Sequence, residues 1–334
     1  MQEPESRESA PQPPEEGRIR PPGPDRKLTL VHVFQYLLVR FLEFFVTILP
    51  LRLALWFGSR IGDAVHALDK RHRKIALLNL DQAFGDRKGE MEKRAIVLEC
   101  YRHFGRAIIE TLRLPLIHPG NFTKYVELDN VGGFYEGLKQ GKGVILCTAH
   151  YGNWEIMNLV LGYLNLPMSV VARPLDNPLV HRYLERLRNR NGNQLIYKHK
   201  AVRKLLSALK ENRVVGLVND QNVHDRNKIM VPFFGRDAAT TPTPAALAVK
   251  TGAPIVTGFA LPLDRGRYRL SFGPTLHADP NADKDAEIRR LTREINLRLE
   301  NQITYHTPYW FWVHKRFKHD ENGETQFYKR DRDV

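Results

Sequence analysis

Short, uninterrupted apolar runs recur along the chain at residues 144–149, 168–172, 214–218 and 255–261. Runs of this length and composition predict strands buried on both faces, as in a parallel sheet. Stretches of helical periodicity lie between them, at 154–164, 179–190, 201–211 and 244–250. Over 93–114 the apolar positions Ile96, Leu98, Tyr101, Phe104, Ala107, Ile108 and Leu112 predict an amphipathic helix, and 283–305 reads as a long closing helix. Strands alternating with helices predict an α/β fold with a mostly parallel central sheet flanked by helices. No repeat at solenoid periods is present.

Residues 28–57 (LTLVHVFQYLLVRFLEFFVTILPLRLALWF) are the most apolar segment and about long enough to span a bilayer. Arg40, Glu43 and Arg52 interrupt it, so no uncharged run reaches the roughly 18 residues that secure a spanning helix. Arg40 and Glu43, three apart, can neutralise each other on one face, and Pro50 should end or kink the helix. Three readings are open: a spanning anchor, a helix lying in the interface, and a buried core helix. Aromatic side chains at Phe34, Tyr36, Phe41, Phe44, Phe45, Trp56 and Phe57 suit a headgroup boundary. Arg52, Arg60 and the run at 70–74 place positive charge just beyond it, as a cytoplasmic flank would. A solvated helix face is the plain alternative for that run.

With 42% hydrophobic residues in 334, the chain can bury a core, which excludes disorder throughout. The exception is the Pro- and Glu-rich stretch 1–26, expected as a disordered tail of net charge −2. The organisation expected is therefore a tail over 1–26, a membrane-anchoring helical segment over 27–60, a catalytic domain over 61–318 and a polar C-terminal tail over 319–334. Two cysteines, Cys100 and Cys147, exclude a disulfide scaffold and a cysteine-rich zinc module. Fifty-one Lys and Arg against 37 Asp and Glu leave a net +14, which calls for an anionic partner. Nucleic acid is not the expected one, because no binding module is present and the aromatics gather in the apolar segment rather than among the basic residues.

His150-Tyr151-Gly152-Asn153-Trp154-Glu155 lies where the first buried strand ends and a helix begins. That carboxyl edge is where ligands gather in an α/β sheet. A His there, with a carboxylate in the first helical turn, suits a general base and its orienting partner. Residues five apart diverge by roughly 140° on a helix, so the pairing requires the helix to start at Gly152 or Asn153. Free N–H groups at that helix end could also serve an oxyanion. The spacing alone is weak: His319 and Glu324 repeat it in the polar tail, and a His merely closing a strand is the bland alternative.

The stretch GKGVILCTAHYGNWE resembles the signature of the bacterial lipid A biosynthesis (late) acyltransferases, within the lysophospholipid and glycerolipid acyltransferase superfamily. Further blocks follow in order: Ala172-Arg173-Pro174, Asn219-Asp220-Gln221, Val231-Pro232-Phe233-Phe234-Gly235, Thr240-Thr241-Pro242, Gly252-Ala253-Pro254-Ile255 and the run PYWFWVHKRF at 308–317. The resemblance covers 28–318. It implies that His150 deprotonates an acceptor hydroxyl while Glu155 holds and charge-stabilises the imidazole. The hydroxyl then attacks a fatty acyl thioester carried by acyl carrier protein or coenzyme A, with no metal, cofactor or covalent acyl-enzyme. The acceptor it implies is an anionic phosphorylated glycolipid, a lipid A precursor above all, reached at the cytoplasmic face of the inner membrane among membrane lipids.

Asn153 is counted with the substrate-binding residues. Arg173 reads as a clamp on phosphate or thioester, with a surface ion pair as its alternative. Asp220 and Gln221 close the next strand and could bind the acceptor, or Asp220 could pair Arg173. Phe233 and Gly235 could form the mouth of an acyl channel or a packed loop. Cys147, near the end of its strand, reads as inert core. The basic region 181–204, with Arg182, Arg186, Arg188, Arg190, Lys198, Lys200, Arg203 and Lys204, suits lipid phosphates or an acidic carrier protein. Phosphatidylinositol mannoside or lysophospholipid acyl transfer is the enzymatic alternative, and a basic membrane-bound scaffold the non-enzymatic one. The chain contains no G-x-S-x-G, which disfavours a serine hydrolase.

Overall fold

The computed structural model describes residues 28–197, 201–224, 228–320 and 323–328. The tail expected over 1–26 lies outside them, as do Lys198 and Lys200. Four helices open the chain: α1 (Leu30–Ile48), α2 (Leu51–Leu68), α3 (Lys70–Phe84) and α4 (Glu90–Arg113). An alternating body follows: β1 (Val126–Asp129), α5 (Gly132–Lys139), β2 (Val144–Thr148), α6 (Trp154–Tyr163), β3 (Met168–Ala172), α7 (Pro178–Arg188), β4 (Gln194–Tyr197), α8 (Ala201–Lys210) and β5 (Val214–Val218). The chain ends with the hairpin β6 (Ile229–Phe233) and β7 (Arg236–Thr240), then α9 (Thr243–Thr251), β8 (Ile255–Pro262), β9 (Tyr268–Phe272), α10 (Lys284–Tyr305), β10 (His319–Asp320) and β11 (Gly323–Glu324).

Seven strands form one sheet in the order β1-β9-β8-β2-β5-β3-β4, parallel except where β8 meets β9. The mostly parallel α/β fold expected from the sequence is thus the fold observed. Strand β2 is buried along its whole length. Its odd positions, Ile145 and Cys147, join a cluster with Leu205 of α8, Ala248 of α9 and Leu299 of α10. Its even positions, Val144 and Leu146, join Phe134 of α5 and Val160 of α6. Period-two alternation between two apolar layers explains why the strand is apolar up to Thr148 at its end.

Pro50 divides the N-terminal apolar segment into α1 and α2. One face of α1 packs Tyr36, Val39, Leu42 and Val46 against Ile109 and Leu112 of α4 and Tyr183 and Leu187 of α7. Its outward apolar residues, among them Leu30, Phe34, Leu37, Phe41, Phe44 and Ile48, are exposed. The buried-core reading therefore fails for α1, which is long and apolar enough to cross a membrane. Arg40 and Glu43 form the expected ion pair at 2.5 Å.

Helix α2 runs unbroken through residue 60, where a boundary was expected, and it is part of the body. A Cβ on Gly105 would collide with the Gly58 carbonyl, and one on Gly62 with the backbone at Tyr101, so α2 and α4 meet backbone to backbone. The expected C-terminal tail also needs correction. Residues 319 and 320 pair with 323 and 324, Phe327 packs on Phe317 with ring centres 5.3 Å apart, and the Tyr328 hydroxyl donates to Asn79 Oδ1 at 2.6 Å. Aromatic side chains at 327 and 328 supply apolar area that the polar composition of the segment conceals.

Candidate active site

Strands β2 and β5 are paired in register, Thr148 opposite Val218, so the residues just beyond both ends emerge side by side. His150 and Asp220 each lie two residues past that last pair. The Asp220 carboxylate is 1% exposed and receives three hydrogen bonds. His150 Nδ1–H donates to Oδ1 at 2.9 Å, the His150 backbone N–H to Oδ2 at 2.9 Å, and the Trp310 indole N–H to Oδ2 at 2.7 Å. The network assigns the proton to Nδ1 and leaves Nε2 as the acceptor. Burial opposes charge on the ring, but the charge and hydrogen bond of Asp220, with the charge of Glu155 behind them, hold the His150 pKa above its ordinary value. Burial likewise works against the Asp220 carboxylate, and the His150 ring and backbone N–H with the Trp310 indole hold its pKa below the usual carboxylate value.

The turn carrying His150 is clamped from three sides. Gly152 takes φ +59°, and a Cβ there would run into the Ala260 carbonyl of β8. Gly152 N–H donates to Tyr309 O at 3.0 Å, and Phe311 N–H to His150 O at 3.0 Å. From α4, buried His103 lies with Nε2 3.1 Å from Gly152 O. Burial pushes its pKa down to about 3, so the ring is neutral, and Nε2–H donates to that carbonyl.

The structure corrects the role expected of Glu155. Helix α6 does begin where the spacing required, with Asn153 as its N-cap. Glu155 nevertheless turns away from the imidazole toward α7. Arg188 Nε lies 3.1 and 3.0 Å from its two carboxylate oxygens, Arg188 Nη2 donates to Oε1, and the Trp154 indole N–H donates to Oε1 at 3.1 Å. Glu155 thus acts on His150 through charge, while Asp220 makes the hydrogen bond. Asn153 is likewise a structural cap: its Oδ1 accepts from the N–H groups of Glu155 and Ile156 at 3.2 and 3.3 Å. Those two donors are consumed by the cap and do not face an oxyanion. Its Nδ2 donates to Glu110 Oε2 at 3.3 Å, and that oxygen also accepts from the Tyr268 hydroxyl. Burial raises the Glu110 pKa to about 7.

A cleft of about 480 Å³ opens at the sheet edge, lined by Thr148, His150, Trp154, Glu155, Arg173, Arg188 and Gln221 among others. Arg173 is exposed at this cleft and does not pair Asp220, whose oxygens are taken. Phe233 and Gly235 are not brought to it. Phe233 is fully buried behind Trp310, ring centres 5.6 Å apart, with the Arg316 guanidinium 4.8 Å from its ring centre. Gly235 sits in the exposed β6–β7 turn with φ +71°. Cys147 is wholly buried and burial pushes its thiol pKa up, which suits inert core. A second cavity, about 410 Å³ and nearly all apolar, shares the wall residues Trp154, Glu155 and Arg188 with the first and reaches α1.

Sequence reasoning did not assign roles to Trp310, His103, Glu110 or Tyr268, nor the ion pair with Glu155 to Arg188. Trp310 lies in the run PYWFWVHKRF, and its indole N–H was the available signal. His103 and Glu110 fall within the helix expected over 93–114 with no local signal of their own, and Tyr268 lies outside every element expected from the sequence.

An imidazole oriented by a buried carboxylate and open to a cleft is suited, in its neutral form, to activating a hydroxyl, the chemistry of enzymes that acylate alcohols. The chain belongs to the bacterial lipid A biosynthesis acyltransferase family, whose sequence model matches residues 23–319, and it is an acyltransferase. It is 27% identical over 282 residues to the lipid A biosynthesis palmitoleoyltransferase of Escherichia coli K12, covering 84% of this chain and 90% of that protein. The lauroyltransferase of the same strain is 25% identical over the same shares. A phosphatidylinositol mannoside acyltransferase of Mycolicibacterium smegmatis is 26% identical over 160 residues, 47% of this chain and 51% of its own length.

Proposed function

We propose that this enzyme transfers a fatty acyl chain from a thioester, borne by acyl carrier protein or coenzyme A, to a hydroxyl of a lipid A precursor at the cytoplasmic face of the inner membrane. The observation carrying the reading is the His150–Asp220 pair, whose neutral ring offers Nε2 as an acceptor beside a cleft that shares a wall with an apolar cavity. His150 Nε2 takes the hydroxyl proton as the oxygen attacks the thioester carbonyl. The C–O bond forms, the C–S bond breaks, and the proton passes from the imidazolium to the leaving thiolate. Asp220 orients the ring and stabilises its charged form. Glu155 and Arg188 fix the wall of the cleft, and Arg173 and Gln221 supply donors to the thioester or to acceptor phosphate.

The matched length of relatives favours a lipid A acceptor over a phosphatidylinositol mannoside: 84% of the chain aligns with the palmitoleoyltransferase, against 47% and 67% with phosphatidylinositol mannoside acyltransferases. The exposed apolar surface of α1 and the charge of +14 support an anionic membrane as the place of work. The test supplies purified protein with a lipid A precursor or a phosphatidylinositol mannoside, each with carrier-protein and coenzyme A thioesters. Transfer to the lipid A precursor is expected, and His150→Ala should lower it by about 10²–10⁴-fold with folding preserved. Full activity in that variant would overturn the assignment of the base.

A further inference from the structure

The two cavities that share the Glu155–Arg188 pair as wall differ in what their walls can satisfy. The one beside α1 is walled by Val39 and Leu42 of α1, Ala107 and Ile108 of α4, and Val180 and Leu184 of α7. Ile108 is 57% exposed, and Leu38 and Phe41, beside the lining residues of α1, are exposed as well. This cavity is therefore continuous with the apolar outer surface of the molecule. The sheet-edge cleft is different. Thr148 Oγ1 and Asn158 Oδ1 belong to residues only 5% and 8% exposed, both line the cleft, and neither atom has a hydrogen-bond partner among the described residues. A bare hydrocarbon beside them would leave both unsatisfied. A thioester attached to an arm rich in amides and hydroxyls suits a cleft with polar groups in its wall better than a bare hydrocarbon does, and exposed Arg173 lines the same cleft for its phosphate.

We propose that the cavity beside α1 binds an alkyl chain of the lipid acceptor, entered sideways from the bilayer, while the acyl thioester donor occupies the sheet-edge cleft. This rests on the acyl-transfer reading above and adds where each substrate sits. Helix α1 is then a wall of the acceptor site as well as a membrane contact. The two substrates approach His150 from different sides and are bound together, so transfer is direct.

Two experiments on the full chain in detergent micelles test it. In the first, Ala107→Phe and Val180→Phe, from opposite walls, narrow the cavity. They are assayed with two phosphorylated glycolipid acceptors that differ only in alkyl chain length and with thioesters of graded length. Each buried methylene is worth about fourfold in binding, so displacing two or three should raise KM for the long-chain acceptor tenfold or more. The short-chain acceptor should suffer less, and the preferred donor length should not move. A shift toward shorter donors, or an unchanged acceptor KM in both variants, would overturn the proposal.

The second experiment needs no turnover. Cysteine is placed in the cavity by Ala107→Cys and alkylated with a maleimide. The native thiols are a quiet background, because Cys100 and Cys147 are buried and burial pushes Cys100 up to about 12 and Cys147 up as well. The glycolipid acceptor should slow alkylation and the thioester donor should not. Protection by the thioester, or by neither, defeats the assignment. Protection by the glycolipid in a protein that transfers no acyl group would count against the acyl-transfer reading alone.

Discussion

Asp220 receives its three hydrogen bonds from the ring and the backbone N–H of His150 and from the Trp310 indole, so the imidazole can neither rotate nor change tautomer without breaking one. Its charge also sets where the base titrates. His150 works as a base only when neutral, so transfer should fall as pH drops through a pKa held above the ordinary histidine value. Asp220→Asn removes the charge that holds it there. The acid limb of the pH–rate profile is expected to move to lower pH, while the plateau drops about a hundredfold or more as the ring loses its orientation. A limb that stays in place would mean that another group sets it. Glu155→Gln should move the limb in the same direction by less, since Glu155 acts by charge across a gap and makes no hydrogen bond to the ring.

The same site depends on how whole helices are seated. Helix α6 starts where it does because Asn153 caps it, and Asn153 is held by Glu110 of α4, which also accepts from Tyr268 of β9. Glu110 titrates near 7 when folded and near 4.5 when unfolded. Between those values the unfolded chain is ionised while the folded one keeps its proton, so folding loses stability as pH rises through that window. The full loss is about 3 kcal/mol, since every tenfold difference in proton affinity between the two states is worth about 1.4 kcal/mol. Glu110→Gln keeps a hydrogen-bonding side chain without the titration. Thermal melts at pH 5 and pH 8 should show wild type losing ground to the variant at the higher pH. Equal behaviour of the two proteins would remove Glu110 from this role. The crossing of α2 and α4 is set by a different device: glycines at 58, 62 and 105 let the backbones touch, and that contact carries α1 to its place over α7.

At the scale of the molecule, one surface is apolar and the whole is basic. The outward apolar residues of α1 are exposed among the described residues, and a contiguous apolar face of this kind marks a membrane or partner contact. Replacing Phe34, Leu37, Phe41 and Phe44 together by serine should release the enzyme from vesicles in a flotation assay. The melting temperature should change little, because these side chains are exposed in the fold. Retention on vesicles would show that α2 or the basic surface carries the attachment. Raised salt should weaken any attachment that depends on the positive charge and leave the apolar share intact.

Much of this was legible in one dimension. Continuous apolar runs announced β2, β3, β5 and β8, helical periodicity announced α4, α6 to α8 and α10, and Pro50 announced the break between α1 and α2, because each of these is a property of a few consecutive residues. The ordered motif blocks carried the family. Strands β1, β4, β6 and β7 gave weaker local patterns, since they lie at sheet edges or in a separate hairpin and are only partly buried, and β9, inside the sheet, alternates buried with less buried positions. The pairing at the site was decided by the tertiary structure. His150 has Glu155 five residues away and Asp220 seventy away, and it takes the distant one because parallel strands in register deliver their ends to the same place. Glu155 is claimed by Arg188 across α7, and Phe233 is drawn behind Trp310 by burial of its ring. A local pattern determines which element forms. A side chain's partner depends on which elements become neighbours, and that follows from sheet order and helix packing rather than from spacing along the chain.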